Sequence, residues 1–191
     1  MAFPDAWSER CWVSLSKQGS SAWNNFHTII SSVDIDEGDK PTTNIPNIGG
    51  GRIRKHEPQE DTVLTFEAYQ VGIGTTSGDD IGLSQQFNSN TLDTTDPFST
   101  TPSHNRDLYK VAILWTNQSV SNAYVAIDGT HEAYRWSAVG AEIISLKKSY
   151  TDKELKVTAQ IRIPQFNKNA TANITEESCN AAGTLSDLTA Y

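Results

Sequence analysis

Residues 155–163 read LKVTAQIRI, and apolar and polar side chains alternate along the whole stretch. The odd positions are apolar and the even positions are polar, which is the period-two pattern of a strand with one buried face. Pro164 follows directly and marks the end of the strand, because proline has no N–H to donate to a β-ladder. The stretch predicts an antiparallel sheet that packs on a core with one face.

Other segments extend this prediction to a mainly β fold. Residues 62–71 and 28–37 also alternate, whereas residues 108–115 are apolar on both faces, as expected for a central strand covered on two sides. Shorter strands are predicted at residues 123–127, 133–136 and 141–148. The Asp128-Gly129 pair after the first of these is a strong turn signal.

One short segment has the pattern of a helix. Ser77 can cap it, Asp79 and Asp80 fall in its first turn, and Leu83 and Phe87 form one apolar pair on a face. The predicted fold is therefore an antiparallel β-sandwich or barrel with one accessory α-helix and long loops.

Length and composition predict a single domain over residues 1–191, since 37% of the 191 residues are hydrophobic and 20% are charged. Residues 1–24 and 167–191 are interpreted as N-terminal and C-terminal arms. The connections at 38–61 and 89–106 exceed the roughly 12–15 residues of ordinary loops, so we expect them to order against a neighbouring copy. Neither a secretory signal nor an apolar run of about 20 residues is visible.

The charge pattern disfavours nucleic-acid binding. A net charge of −8 repels phosphates, and tight binding to a nucleic-acid backbone needs clustered Lys and Arg. The compact basic cluster at residues 51–56 is followed by Glu57, Glu60 and Asp61. It is interpreted as a solvated loop or a subunit contact.

The sequence offers no persuasive catalytic, cofactor or metal site. The acidic run at residues 34–39 departs from a calcium-binding EF-hand loop, because its sixth and twelfth positions are Asp39 and Ile45. Gly49-Gly50-Gly51 lacks the residues of a phosphate-binding loop. Glu67, Glu132 and Glu142 could supply the carboxylate pair of a glycosidase, but nothing singles them out. We therefore do not predict an enzyme.

Two cysteines, Cys11 and Cys179, lie near opposite ends of the chain. A single disulfide between them and two reduced thiols are both compatible with this spacing, and the reduced thiols are favoured.

Several phrases follow one another in a characteristic order. They are SVDIDEGD at 32–39, NIGGGRI at 47–53, PQEDTVLTFE at 58–67, RDLYKVAILWTN at 106–117, AYRW at 133–136 and NITEES at 173–178. In this order the chain resembles the tail tube proteins, or major tail proteins, of long-tailed bacterial and archaeal viruses. The resemblance covers roughly residues 25–180.

The resemblance implies a structural virion protein, made in the host cytoplasm, that self-assembles into stacked hexameric rings. The rings form the tail tube, through which viral DNA passes during ejection without specific binding. The implied partners are other copies and other tail proteins, with no cofactor and no membrane. The loop 38–61 becomes the inter-ring loop, and its candidate contact residues are Asn47, Ile48, Gly49, Gly50, Gly51, Arg52 and Ile53.

Four carboxylates on predicted strands are candidates to face the lumen of such a tube: Asp34, Asp36, Glu67 and Glu142. An acidic wall would repel DNA within the ~8–10 Å over which charge acts in salt. The alternative is a secreted or surface-exposed adhesin that binds glycans as a monomer, for which the five tryptophans would provide a stacking surface. Self-assembly without a ligand distinguishes the tube from the adhesin.

Overall fold

The computed structural model describes residues 11–19, 23–25, 30–69, 87, 106–179 and 182–188. These residues are mostly in antiparallel strands, which confirms the predicted mainly β fold. The strands are β1 (Cys11–Lys17), β2 (Trp23–Asn25), β3 (Ile30–Asp36), β4 (Thr42–Pro46), β5 (Arg52–His56), β6 (Thr62–Tyr69), β7 (Tyr109–Thr116), β8 (Ala133–Thr151), β9 (Glu154–Ile163) and β10 (Ile174–Cys179).

Eight strands form one sheet in the order β2-β1-β7-β8-β9-β6-β3, with β10 paired to β8 as well. The long strand β8 joins two parts of this sheet. Residues up to Ala141 pair with β7 and β10, and residues from Glu142 onward pair with β9. We call the first part, with β1, β2, β7 and β10, the packed sheet. The second part, with β9, β6 and β3, is the four-stranded sheet.

A bulge in β8 lets both parts enclose the same core. Trp136 and Ala138 face this core before the bulge, and Ala141 and Ile143 face it afterwards, so the inward parity changes by one residue. Gly140 provides the extra residue with a φ of +68°, a conformation that glycine adopts without steric cost. A second bulge between Ile143 and Ser145 changes the inward parity again, so that Leu146 packs against the core. Two bulges therefore keep apolar side chains directed inward along this 19-residue strand.

Strand β7 is buried on both faces, as its sequence predicts. Val111 and Ile113 face the main core between the two parts of the sheet. Ala112 and Leu114 face a second core on the other side, which Ile127 and the C-terminal segment at 182–188 cover. Trp115 is partly buried against the main core.

Arg135 anchors the covering segments to the packed sheet, and its side chain is fully buried. Its guanidinium donates to Glu177 Oε2 at 2.6 and 3.0 Å, to the Val125 carbonyl at 3.1 Å and to the Ser186 carbonyl at 2.7 Å. One buried cation thus connects β8, β10, the loop before β8 and the C-terminal segment.

One predicted strand is absent, and two other predicted strands are parts of a single strand. Residues 123–127 form no strand, because Ala123 and Ile127 are buried by packing against the second core and not by pairing in a sheet. One isolated bridge joins Ile127 to Leu185. Residues 133–136 and 141–148 belong to the single strand β8, because the Gly140 bulge continues the ladder.

Other predicted segments are described in part. The helix predicted from Ser77 to Phe87 lies outside the described residues except for Phe87, which is helical. The loop 89–106 also lies outside them, apart from Arg106. The described parts of 1–24 and 167–191 contribute β1, β2 and β10 to the sheet. Within the described ranges, no helix is long and apolar enough to cross a membrane.

Both cysteines are reduced thiols, which is the favoured alternative. Cys11 packs against the main core and Cys179 against the second core, on opposite faces of the packed sheet. Burial raises the pKa of the Cys11 thiol to about 12 and also raises the pKa of Cys179.

Candidate functional site

The segment predicted as a long loop contains an exposed hairpin. Strands β4 and β5 pair from Thr42 with His56 to Pro46 with Arg52, and every residue from 42 to 56 is exposed. An isolated two-stranded hairpin is marginally stable in water, because it buries little apolar surface. We call residues 42–56 the hairpin. Nothing in the described core covers either of its faces.

Asn47 organises the turn of the hairpin. Its backbone N–H donates to the Gly51 carbonyl at 2.9 Å, and its Oδ1 accepts the Gly51 N–H at 2.8 Å. Gly50, with a φ of +79°, donates to the Asn47 carbonyl at 3.1 Å. These bonds shape a tight turn that leaves the Ile48 side chain fully exposed at the tip.

The hairpin has two chemically different faces. Ile45 and Ile53 lie directly opposite each other, with 46% and 59% of their surface exposed. Because side chains alternate along a strand, Arg52, Arg54 and His56 lie on the other face. The hairpin thus presents an isoleucine face and a basic face to its surroundings.

Side-chain hydrogen bonds fix the root of the hairpin to the four-stranded sheet. Gln165 donates from Nε2 to the Glu37 carbonyl at 3.0 Å and to Thr62 Oγ1 at 2.6 Å. Gln59 Nε2 also donates to the Glu37 carbonyl, at 2.8 Å. The hairpin therefore leaves the sheet from a fixed position.

Gly38 is required at this root for two reasons. Its φ of +74° is unfavourable for residues with a side chain, and a Cβ at this position would lie 2.7 Å from the Glu60 carbonyl oxygen. Its N–H donates to Asp36 Oδ1 at 3.1 Å. The acidic run at 34–39 accordingly builds a strand end and a turn.

The hairpin, together with Lys40 and Pro41 before it, differs in the sign of its charge from the whole chain. Residues 40–56 contain four cations, Lys40, Arg52, Arg54 and Lys55, and no carboxylate. Because the net charge of the chain is −8, the remaining residues together carry −12. A second copy of the chain is therefore an electrostatically favourable neighbour for the hairpin.

The structure places all four lumen-facing candidates on one face of the four-stranded sheet. Leu64, Phe66 and Ala68 of β6 face the main core, so Glu67 faces away from it. Strand register places the other three carboxylates on this outward face: Asp34, Asp36 and Glu142. We call this surface the polar face.

Cations accompany these carboxylates on the polar face. Glu142 accepts hydrogen bonds from Arg106 Nη1 at 2.9 Å and from Arg162 Nη2 at 2.8 Å. Lys156 Nζ lies 3.4 Å from Glu67 Oε1 and 4.9 Å from the centre of the Tyr69 ring. The polar face is consequently close to charge balance, not strongly acidic as expected.

The ion pairs change the pKa values of their members. Partial burial opposes ionisation of Glu142, but hydrogen bonds from Arg106 and Arg162 outweigh it and lower its pKa. Hydrogen bonds to Tyr69 and to Glu67 raise the pKa of Lys156. Both changes keep the groups charged at neutral pH.

The four-stranded sheet has two unpaired edges within the described residues. Strand β3 pairs with β6 alone, and residues 142–151 of β8 pair with β9 alone. Unpaired N–H and C=O groups on such edges are templates for pairing with another chain.

Chemistry of other kinds has no support in the described ranges. No group of three or more His, Cys, Asp or Glu side chains there could hold a metal ion. The sequence interpretation found Ile53 but missed Ile45, although the alternation on both sides of the glycine-rich turn indicates a paired face. No local signal identifies Gln165, whose partners lie 103 and 128 residues away.

Comparison with known proteins identifies the fold. No protein-family model and no curated sequence matches the chain. Among solved structures, the sheath–tube complex of the extracellular contractile injection system PVC is 14% identical with a TM-score of 0.53, and the match covers 90% of both chains. The PVC sheath/tube terminator is also 14% identical, with a TM-score of 0.54, and 93% of this chain and 97% of that chain are covered.

A third structure, the 6-fold symmetrised baseplate of the anti-feeding prophage, is 13% identical with a TM-score of 0.53 over 95% of this chain and 99% of that chain. The chain therefore has a tail-tube-like fold, which confirms the fold expected from the resemblance.

Proposed function

We propose that the chain is the structural subunit of a viral tail tube and that it assembles with copies of itself. The observation that carries the proposal is the hairpin, which is exposed along its whole length yet rooted firmly in the sheet. A fixed hairpin with two uncovered faces is suited to a neighbouring chain. The tail-tube-like fold and the open sheet edges support the same function.

Rings would form by pairing between sheet edges. The edge of β3 in one copy would pair with residues 142–151 of β8 in the next copy, which would satisfy both edges. At about 4.8 Å per strand, six four-stranded sheets would close a cylinder about 37 Å across at the backbone. Such a cylinder admits a DNA double helix.

The polar face would line the bore of this cylinder, including Asp34, Asp36, Glu67 and Glu142. Its cations Arg106, Arg162 and Lys156 are held by carboxylates, and the exposed Lys147 adds one further charge, so they do not form a cluster that attracts phosphates. DNA would pass along such a wall without specific binding.

The hairpin would join successive rings into a tube. Its contact residues are the proposed inter-ring set: Asn47, Ile48, Gly49, Gly50, Gly51, Arg52 and Ile53. The subunit would reside in the tail of the virion, after synthesis in the host cytoplasm, and would contact other tail proteins at the ends of the tube.

A hairpin-deleted variant tests this function. Replacing residues 42–56 with Asn-Gly keeps the root, because Glu57 N–H already donates to the Pro41 carbonyl at 3.0 Å. We expect native mass spectrometry to show closed six-subunit rings and electron microscopy to show no stacked tubes. Tubes from the deleted variant would contradict the role of the hairpin. If the intact chain stays monomeric at high concentration and binds glycans, the adhesin is favoured.

A further inference from the structure

We propose that the isoleucine face of the hairpin docks onto Tyr150 and Leu155 at the opposite end of a second copy. This inference rests on the proposed function and adds the receptor surface for the hairpin. Tyr150 and Leu155 lie directly opposite each other beside the turn between β8 and β9, with 71% and 37% of their surface exposed. We call this pair the ledge.

The ledge continues the apolar side of the four-stranded sheet beyond its core. Val157 and Ala159 of β9 face the main core, and Leu155 follows them with the same parity. Of the exposed large apolar side chains in the described ranges, only Ile45–Ile53 and Tyr150–Leu155 form directly opposed cross-strand pairs. Exposed apolar patches of this kind mark contact surfaces, and tyrosine is enriched where binding energy concentrates.

The two pairs lie at opposite ends of the same sheet. The hairpin leaves the end formed by Asp36, Thr62 and Ile163, whereas the β8–β9 turn lies at the other end, beyond the pairing of Tyr69 with Lys156. At about 3.3 Å per residue, β9 spans about 30 Å and the hairpin reaches about 23 Å from Pro41 to Ile48. The hairpin is thus long enough to overlap the next copy.

A contact between two different patches of one chain is heterologous, so it repeats along an axis and does not close within a pair. Copies joined in this way point in the same direction, as subunits of successive rings in a growing tube must. The receptor therefore lies at the end of the molecule opposite the hairpin, which is where the ledge is found.

Charge favours a second copy as the occupant. Residues 40–56 carry four cations and no carboxylate, while the rest of the chain carries −12. The ledge itself is locally basic, since residues 147–156 contain four lysines and two carboxylates, so its apolar pair and not its own charge makes it the receptor. Association between an acidic protein body and a basic hairpin is steered by this difference, whereas two bodies without hairpins repel each other.

Disulfide trapping tests the receptor directly. In the intact chain carrying Ile53→Cys and Tyr150→Cys, mild oxidation is expected to give a ladder of covalent multimers on a non-reducing gel. Each variant that carries only one of these two substitutions is expected to give dimers at most. The unsubstituted chain is the baseline, because burial raises the pKa of Cys11 and Cys179 and leaves little reactive thiolate.

A control pair of cysteines places the second substitution at the hairpin root, at the end of the molecule opposite the ledge. Phe166 is 60% exposed and follows Gln165 at the hairpin root, so Ile53→Cys with Phe166→Cys is expected to give no ladder. A ladder from this pair, with none from Ile53→Cys and Tyr150→Cys, would overturn the inference. If tubes form but neither pair gives a ladder, the receptor is wrong although the tube function stands.

A second measurement does not depend on cysteine geometry. The double variant Tyr150→Ser with Leu155→Ser is expected to raise the protein concentration needed for ring stacking at least about tenfold. The double variant Ile45→Ser with Ile53→Ser should have the same effect, because each pair supplies half of one apolar contact. Phe166→Ser is the control and should leave stacking unchanged. Normal stacking of the Tyr150/Leu155 variant would contradict the proposed receptor. A complete absence of rings and tubes in the unsubstituted chain would instead contradict the tube function on which the inference rests.

Discussion

Strand β7 and the hairpin differ most in how many of their residues are buried. Strand β7 lies between two cores, and seven of its eight residues are buried. All fifteen residues from 42 to 56 are exposed, and each strand of the hairpin carries a single isoleucine. The difference indicates that β7 stabilises the subunit, whereas under the proposed function the hairpin would be buried by another chain. Substitutions can test this division, because a change in β7 should reduce stability and a change in the hairpin should reduce assembly.

The largest effect on stability is expected from the buried guanidinium beside β7. Arg135→Ala would leave Glu177 and two carbonyl groups without their donor, at a cost of about 4 kcal/mol in the free energy of unfolding. Chemical denaturation measures this change. Glu177→Gln, which keeps a neutral acceptor and both carbonyl bonds of Arg135, is the control and should cost clearly less. Equal costs would show that the charge of Glu177, and not the bonds to the two carbonyl groups, accounts for the anchor.

The direct comparison of the two regions uses one substitution in each. Leu114→Ala removes a fully buried side chain from the second core, so we expect the free energy of unfolding to fall by about 3 kcal/mol. Ile53→Ala, at a 59% exposed position, should change it by less than about 0.5 kcal/mol and yet reduce tube formation. Similar losses of stability in the two variants would break the comparison.

A smaller effect is expected at the junction between the regions. Gly38→Ala introduces a side chain at positive φ that clashes with the Glu60 carbonyl, at a cost of about 1–3 kcal/mol. The change should displace the hairpin and speed amide hydrogen exchange of β4 and β5. Gly50→Ala at the tip is the control, because its φ is also positive but no atom lies within 4 Å of the new Cβ. Equal disturbance by both variants would mean that the root does not position the hairpin.

The smallest expected effect concerns the polar face and depends on pH. The pKa of Glu142 is lowered in the folded protein, so its stabilisation is complete above its ordinary pKa of 4.5 and is lost as the pH falls through the lower folded value. Glu142→Gln should cost about 1 kcal/mol at pH 7, since both arginines are about half exposed or more. The variant should also lose part of the pH dependence of stability below 4.5. An unchanged pH profile would exclude Glu142 as its source.

The sequence predicts the strands with regular patterns and misses features that depend on distant partners. The alternation in β9 and the double-sided apolar pattern of β7 come from local periodicity, so both strands were found. The continuity of β8 depends on a bulge at Gly140, which a local pattern interprets as the end of one strand and the start of another. Residues 123–127 were assigned to a strand because their composition is apolar, yet they are buried by lying against the second core.

The sequence predicts the turn of the hairpin and the positions of the acidic residues, but not the charge balance of the polar face. The turn residues Asn47 to Gly51 are recognisable because glycine and asparagine mark a hairpin tip. The four acidic residues share a face because strand register places them there, but the cations that balance them come from β9 and from Arg106, 36 residues before Glu142. The balance of charge therefore required the pairing of strands, which sequence periodicity does not provide.

The most direct test of the tube assignment is electron microscopy of the purified chain over a series of protein and salt concentrations. The account predicts hollow rings that stack into tubes as the protein concentration rises, without any added ligand. Uniform monomers at every concentration and salt condition would contradict it.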